Sequence, residues 1–168
     1  AFEKEENIPV FVSFCERVFK EYSGRVNLWC TINEPEVVAT QGYFSGIFPP
    51  GKKDSQLSAV VLKNLLQAHV KVYHVLKKME NGQKVKIGLV KNINQFDPWR
   101  RWHLLDWMIS NSVNHFYNDS TIDFLQTGIF KIRIPGLAWI YHKNMDAVNA
   151  TDFFGLNYYS HNHLKRQY

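Results

Sequence analysis

The sequence predicts an α/β fold built on a parallel sheet. Short β-branched and aromatic runs alternate with amphipathic stretches in the order helix, strand, helix, strand, helix, strand. The strand runs are mostly apolar, as strands buried on both faces are. Each run also ends in polar side chains: Asn33 and Glu34, Asn92 and Asn94, Asn157 and Tyr159. In parallel α/β folds functional sites lie at the carboxyl ends of the strands. Amides, a carboxylate and a phenol delivered there mark a candidate site.

The first helix follows Asn7, a residue suited to cap it, with Pro9 in its first turn. Phe11, Phe14, Cys15, Val18, Phe19 and Tyr22 then recur at spacings of three and four, and Gly24 is the stop signal. Val26 to Ile32 reads as a strand that delivers Asn33, Glu34 and Pro35 to its end. Residues 39–54 carry Gly42, Gly46, Pro49, Pro50, Gly51 and Asp54 and predict a loop. A second helix is expected from about Ser55 to Met79, with Val61, Leu62, Leu65, His69, Val72 and Leu76 on its apolar face. After the Asn81-Gly82 turn comes a strand, Val85 to Val90, ending in Lys91 to Asn94. Beyond Pro98, the residues Trp102, Leu105, Trp107, Met108 and Ile109 predict a third helix. The pattern over 118–150 is weak apart from a short helix around Ile122 to Gln126, and Phe153 to Tyr159 is the last strand. No internal repeat is present.

Composition bounds the function. A chain of 168 residues, 45% hydrophobic and 15% aromatic, is expected to form a single globular unit over residues 1–168. The net charge is +5, but Lys52, Lys53, Lys77, Lys78, Arg100 and Arg101 form no stripe, which speaks against nucleic acid as a partner. Cys15 on a helix face and Cys30 in a strand read as small packing groups. No apolar run of about 18 residues could span a membrane. Asn118-Asp119-Ser120 and Asn149-Ala150-Thr151 match the glycosylation pattern by chance, since no secretory signal is seen, and a cytoplasmic location is expected on the same ground. His69 and His74 miss the i, i+4 ligand spacing, and His161 and His163 lack a carboxylate at motif spacing, so no metal is expected. Gly42, Gly46 and Gly51 are too widely spaced to cradle a phosphate. The chain opens at Ala1 without an initiator Met and closes at Tyr168 just past a strand, so it is expected to be an internal fragment of a longer protein.

A lone Glu after a strand reads as a surface residue. Glu34 follows an amide, precedes Pro35 and closes a strand opened by Trp29, so it reads as a proton-transfer group. A general acid needs a raised pKa, which apolar aromatic neighbours supply, and Trp29 is expected among them. Asn33 either bonds its own turn or holds a substrate hydroxyl. Asn157 and Tyr159, two apart, share a strand face, against the alternative of a buried Tyr with its hydroxyl satisfied. Asn92 and Asn94 are either turn residues or site amides.

The heptad Trp29 to Pro35, Trp-Cys-Thr-Ile-Asn-Glu-Pro, resembles the acid/base motif of the family 1 glycoside hydrolases, the β-glucosidase-type (β/α)8 barrels. Tyr22 to Val26 resembles the end of that family's third helix. Gly42 to Gly46 and Pro49 to Gly51 resemble the loop after its fourth strand, and Leu66 to His69 its fourth helix. Lys86 to Gly88 and Asp152 to Tyr159 resemble its fifth and sixth strands, while 111–136 matches poorly. The resemblance implies an α/β fold that is a partial TIM (β/α)8 barrel, roughly strands 4 to 6 with their helices, since a complete barrel takes about 250 residues. It implies part of a retaining β-glycosidase hydrolysing the O-glycosidic bonds of β-glucosides or related sugars. Glu34 would be the general acid/base and Asn33 would hold the sugar 2-hydroxyl. Asn157 and Tyr159 would complete the sugar site, with Tyr159 facing the nucleophile, and Asn92 or Asn94 would border the aglycone side. The implied partner is a β-glycoside small molecule or oligosaccharide, with no cofactor. The family nucleophile, a Glu in a Thr-Glu-Asn-Gly context, does not occur in this sequence, so the chain alone is expected to be inactive. Two alternatives stand beside this reading. One is a non-catalytic remnant that binds carbohydrate or another protein, which binding of glucose or cellobiose without turnover would mark. The other is a different (β/α)8 glycosidase family, against which Asn157-Tyr158-Tyr159 speaks.

Overall fold

The structure, a computed structural model, describes residues 2–165. A 3-10 turn at Glu5–Asn7 leads into helix α1, Ile8–Tyr22. Asn7 has helical backbone angles (φ −85°, ψ −10°), so it continues the turn instead of taking the extended conformation expected of a cap. Strand β1, Leu28–Asn33, follows. The predicted loop begins as helix: α2 is Pro35–Ala39, extended by a π-helical turn at Thr40–Phe44. Pro35, at a first-turn position, has the fixed φ and missing N–H that such a start tolerates.

Helix α3 runs Ser55–Lys78 and is capped by Asp54, whose carboxylate accepts the Leu57 N–H at 2.9 Å. Strand β2 spans Lys86–Pro98, longer than its apolar run. Helix α4, Leu104–Asn114, passes through a second π-helical turn, His115–Asp119, into α5, Ser120–Thr127. The weakly patterned region also holds an antiparallel hairpin, β3 (Ile129–Ile134) and β4 (Ala138–Lys143). Its turn is Pro135-Gly136, with Gly136 at φ 73° and the Leu137 N–H on the Ile134 carbonyl at 3.0 Å. Pro then Gly in the central positions is what a type II turn requires. Strand β5, Phe153–Leu164, is last.

Strands β1, β2 and β5 form one parallel sheet in that order. Only the middle strand is largely buried. The expectation that every strand is buried on both faces fails for β1 and β5, which expose Leu28, Phe154, Leu156 and Tyr158. Among the described residues each has one strand neighbour only, and the long helices α1 and α3 cover one face.

The core is organised by α3. One side meets α5 and the hairpin through Leu62, Leu66, Phe124, Phe130 and Ile132, all fully buried. The other meets α1 and the sheet through Phe19, Val72, Leu76, Val85 and Ile87. His69 is fully buried in α3, its Nδ1 2.7 Å from Thr31 Oγ1 in β1, and burial pushes its pKa down to about 4. Asp152 ties β5 to β2. Its carboxylate accepts Lys77 Nζ at 2.6 Å, the Ile87 N–H at 2.8 Å and the Tyr73 hydroxyl at 3.0 Å. Burial alone would raise its pKa, but these bonds outweigh it and hold the carboxyl below its ordinary 3.8.

Two predictions follow from this packing. A Cβ on Gly88 would run into the Phe153 carbonyl oxygen and ring across the β2–β5 ladder. Gly88→Ala is therefore expected to destabilise the protein by at least about 1–3 kcal/mol in denaturant unfolding. Because the Asp152 carboxyl is depressed in the folded state, its stabilisation is full above the ordinary carboxyl range and is lost as pH falls through the folded value. Asp152→Asn should cost about 1.5–3 kcal/mol at neutral pH and flatten the loss of stability on acidification; an unchanged acid limb would show that Asp152 does not contribute to it.

Candidate active site

At the end of β1 the chain turns from strand to helix in one residue. Glu34 adopts the left-handed conformation (φ 51°, ψ 59°) between Asn33 and Pro35. That region is uncommon for a residue with a Cβ, and such positions cluster where function demands them. The backbone is held by the Glu34 N–H, which donates to the Val90 carbonyl of β2 at 2.7 Å.

The carboxylate is held from both neighbouring strands. Glu34 Oε1 accepts Asn157 Nδ2 of β5 at 2.7 Å and Asn92 Nδ2 of β2 at 3.2 Å. Asn92 and Asn157 are register partners in the parallel ladder, so their side chains are level with each other. Asn157 Nδ2 also lies 3.5 Å from Asn33 Oδ1, and Asn33 is exposed. Both strong contacts fall on one oxygen of Glu34. Among the described residues none falls on Oε2. Asn92 is buried, and its Oδ1 has no partner among the described residues.

Asn94 and Tyr159 sit further along. Asn94 is inside β2, not in a loop, and its Oδ1 accepts the Ser160 hydroxyl at 3.0 Å. Its backbone is bracketed by Asn118, with Asn118 Nδ2 on the Asn94 carbonyl at 2.7 Å and Asn118 Oδ1 accepting the Asn94 N–H at 3.3 Å. Tyr159 is 70% exposed, two residues beyond Asn157 on β5 and beside a break in the β2–β5 register. Trp29 is not part of the acid's surroundings. It lies toward the other end of β1, where its ring packs on Phe19 at 4.9 Å between centroids and its indole N–H donates to the Val26 carbonyl.

Three residues that no sequence signal pointed to complete the cluster. Tyr117, from the second π-helical turn, has its phenol pushed well above its usual range by burial first, then by the Glu36 and Glu34 carboxylates, while a hydrogen bond with Asn94 opposes the shift. Its hydroxyl therefore stays protonated beside the site. Glu36 and Lys91 form a buried ion pair behind Asn92, Lys91 Nζ lying 3.5 Å from Glu36 Oε2. No three His, Cys, Asp or Glu side chains among the described residues gather to hold a metal ion, and no helix is long and apolar enough to cross a membrane. The arrangement can give a proton to, or take one from, a group seated over the strand ends.

Comparison with known proteins identifies the family. The profile of Glycosyl hydrolase family 1 matches residues 1–168. A 1,4-beta-D-glucan glucohydrolase of Thermotoga neapolitana is 31% identical over 165 residues, covering 92% of this chain and 37% of that enzyme. A 6-phospho-beta-galactosidase of Clostridium acetobutylicum is 31% identical over 186 residues, covering 95% of this chain and 36% of that enzyme. Among solved structures, a family 1 β-glucosidase from Thermotoga maritima superposes with a TM-score of 0.80 at 25% identity, covering 95% of this chain and 37% of that one. A β-glycosidase from Pyrococcus horikoshii gives 0.75 at 27% identity, covering 94% and 34%. The chain thus spans little more than a third of the relatives it matches, and its sheet and helices are a partial TIM (β/α)8 barrel. A profile match along the whole sequence, on a sheet whose strand ends gather around Glu34, places this chain in glycosyl hydrolase family 1.

Proposed function

We propose that this chain supplies the acid/base half of a retaining β-glycosidase acting on β-glucosides or related sugars. The observation that carries the reading is the Glu34 carboxylate, held at the strand ends by amides from both neighbouring strands. In the first step Glu34 protonates the glycosidic oxygen as it leaves, while a second carboxylate about 5–5.5 Å away attacks the anomeric carbon and forms a glycosyl ester. In the second step Glu34 takes a proton from the water that cleaves the ester. In this reading Asn33 and Asn157 bond sugar hydroxyls, Tyr159 faces the nucleophile, and Asn92 or Asn94 borders the side of the departing group; the shared contact of Asn92 and Asn157 with Glu34 supports it. The substrate is a β-glycoside or an oligosaccharide.

The second carboxylate is not Glu36, which is fully buried against Lys91. No Thr-Glu-Asn-Gly segment occurs in the sequence either, so the nucleophile belongs to a further segment of the working enzyme. That observation also favours a second reading, in which the chain binds sugar without turning it over.

The test is Glu34→Gln in the complete enzyme carrying this segment. For β-glucosides with poor leaving groups, kcat/KM is expected to fall about 10²–10⁴-fold. A dinitrophenyl β-glucoside, whose leaving group needs no proton, should keep most of its kcat/KM. A uniform or absent effect would remove Glu34 from the reaction. Purified chain that binds glucose or cellobiose with no turnover in any assembly would select the second reading.

A further inference from the structure

The ion pair behind Asn92 does more than fill space. Val90 and Asn92, two apart on β2, both face β1, and β1 makes its last contacts at Val90, through Asn33 and the Glu34 N–H. One step further the Asn92 peptide groups face a strand that has already turned into α2. In a parallel ladder the N–H and C=O of one residue point to the same neighbour, so both would be orphaned together. Instead Glu36 Oε1, from the first turn of α2, accepts the Asn92 N–H at 2.5 Å. Lys91 Nζ donates to the Asn92 carbonyl at 3.2 Å and to the Tyr117 carbonyl at 2.6 Å.

Neither partner is stable there alone. Glu36 is fully buried and Lys91 is 1% exposed. Burial pushes the Glu36 carboxyl up and the Lys91 ammonium down, and each charge opposes the shift of the other. An apolar pair would fill the same volume but would offer no acceptor to the Asn92 N–H and no donor to its carbonyl.

We propose that Glu36 and Lys91 are positioning residues for Glu34: they replace the missing strand neighbour of Asn92, fix both of its peptide groups, and through the Asn92 amide hold the Glu34 carboxyl in its reacting orientation. This rests on the reading of Glu34 as acid/base. It gives the buried pair a role in proton delivery that its position behind the site does not announce.

The test uses the complete enzyme and two double variants, each first shown to be folded by thermal melting. E36M/K91M removes both charges at similar side-chain length, a replacement that often leaves stability intact. With poor leaving groups its kcat/KM is expected to fall about 100-fold, the scale of a displaced catalytic group, with little change for a dinitrophenyl β-glucoside. E36Q/K91M, which keeps an acceptor for the Asn92 N–H, should recover about 10-fold of that loss. Wild-type kcat/KM on poor leaving groups in either folded variant overturns the proposal, as does an equal loss on every leaving group, which marks a merely structural pair. Glu34→Gln in the same assay separates the two claims. If it leaves the leaving-group dependence unchanged, the acid/base reading falls; if it changes that dependence and the double variants do not, only the positioning role falls.

Discussion

The register between β2 and β5 is the constraint on which the site depends. Asn92 stands opposite Asn157, and both amides reach the same oxygen of Glu34. Side chains alternate along a strand, so a slip of one residue would turn one of these amides to the opposite face of the sheet. The buried face of β2 resists such a slip, because Ile87 and Leu89 would have to leave the core with it. Gly88 adds a second lock, since only a residue without a Cβ lets Phe153 approach this closely. Packing at the amino end of the strand thus sets the chemistry at its carboxyl end.

Some of this was legible in the sequence and some was not, for physical reasons. Helices α1 and α3 declare themselves by apolar periodicity, and Glu34 by a motif whose residues are all adjacent. Strand β2 outruns its apolar stretch because Lys91, Asn92 and Asn94 are polar, and a strand that faces a site along its length looks like a loop in the sequence. The hairpin is hard to see in the sequence although Pro135-Gly136 marks its turn, because its strands are only six residues each and lie in a region of mixed pattern. Strands β1 and β5 are more exposed than their apolar runs suggest, because such a run does not reveal how many neighbours a strand has. Tyr117 comes from a π-helical turn that has no periodic signature, and its approach to Glu34 exists only in three dimensions.

Glu36 and Lys91 illustrate the hardest case. Isolated charges in a sequence read as solvated surface, since buried ones are rare. Here two charges 55 positions apart are buried because a strand ends one residue too early for its neighbour. The left-handed Glu34 causes both effects. It ends β1 abruptly, which strands the Asn92 peptide groups, and it launches α2 so that Glu36 falls where they need a partner.

The same geometry has a consequence for how the molecule acquires its shape. The hairpin and the individual helices close contacts between near neighbours in the chain. The bonds that hold the Glu34 carboxylate join residues separated by 58 and by 123 positions. Contacts that close long loops are costly to form, because chain entropy is lost before they are rewarded. The amide cluster therefore cannot form before these strands are together, and its formation reports that β1, β2 and β5 have all found their partners.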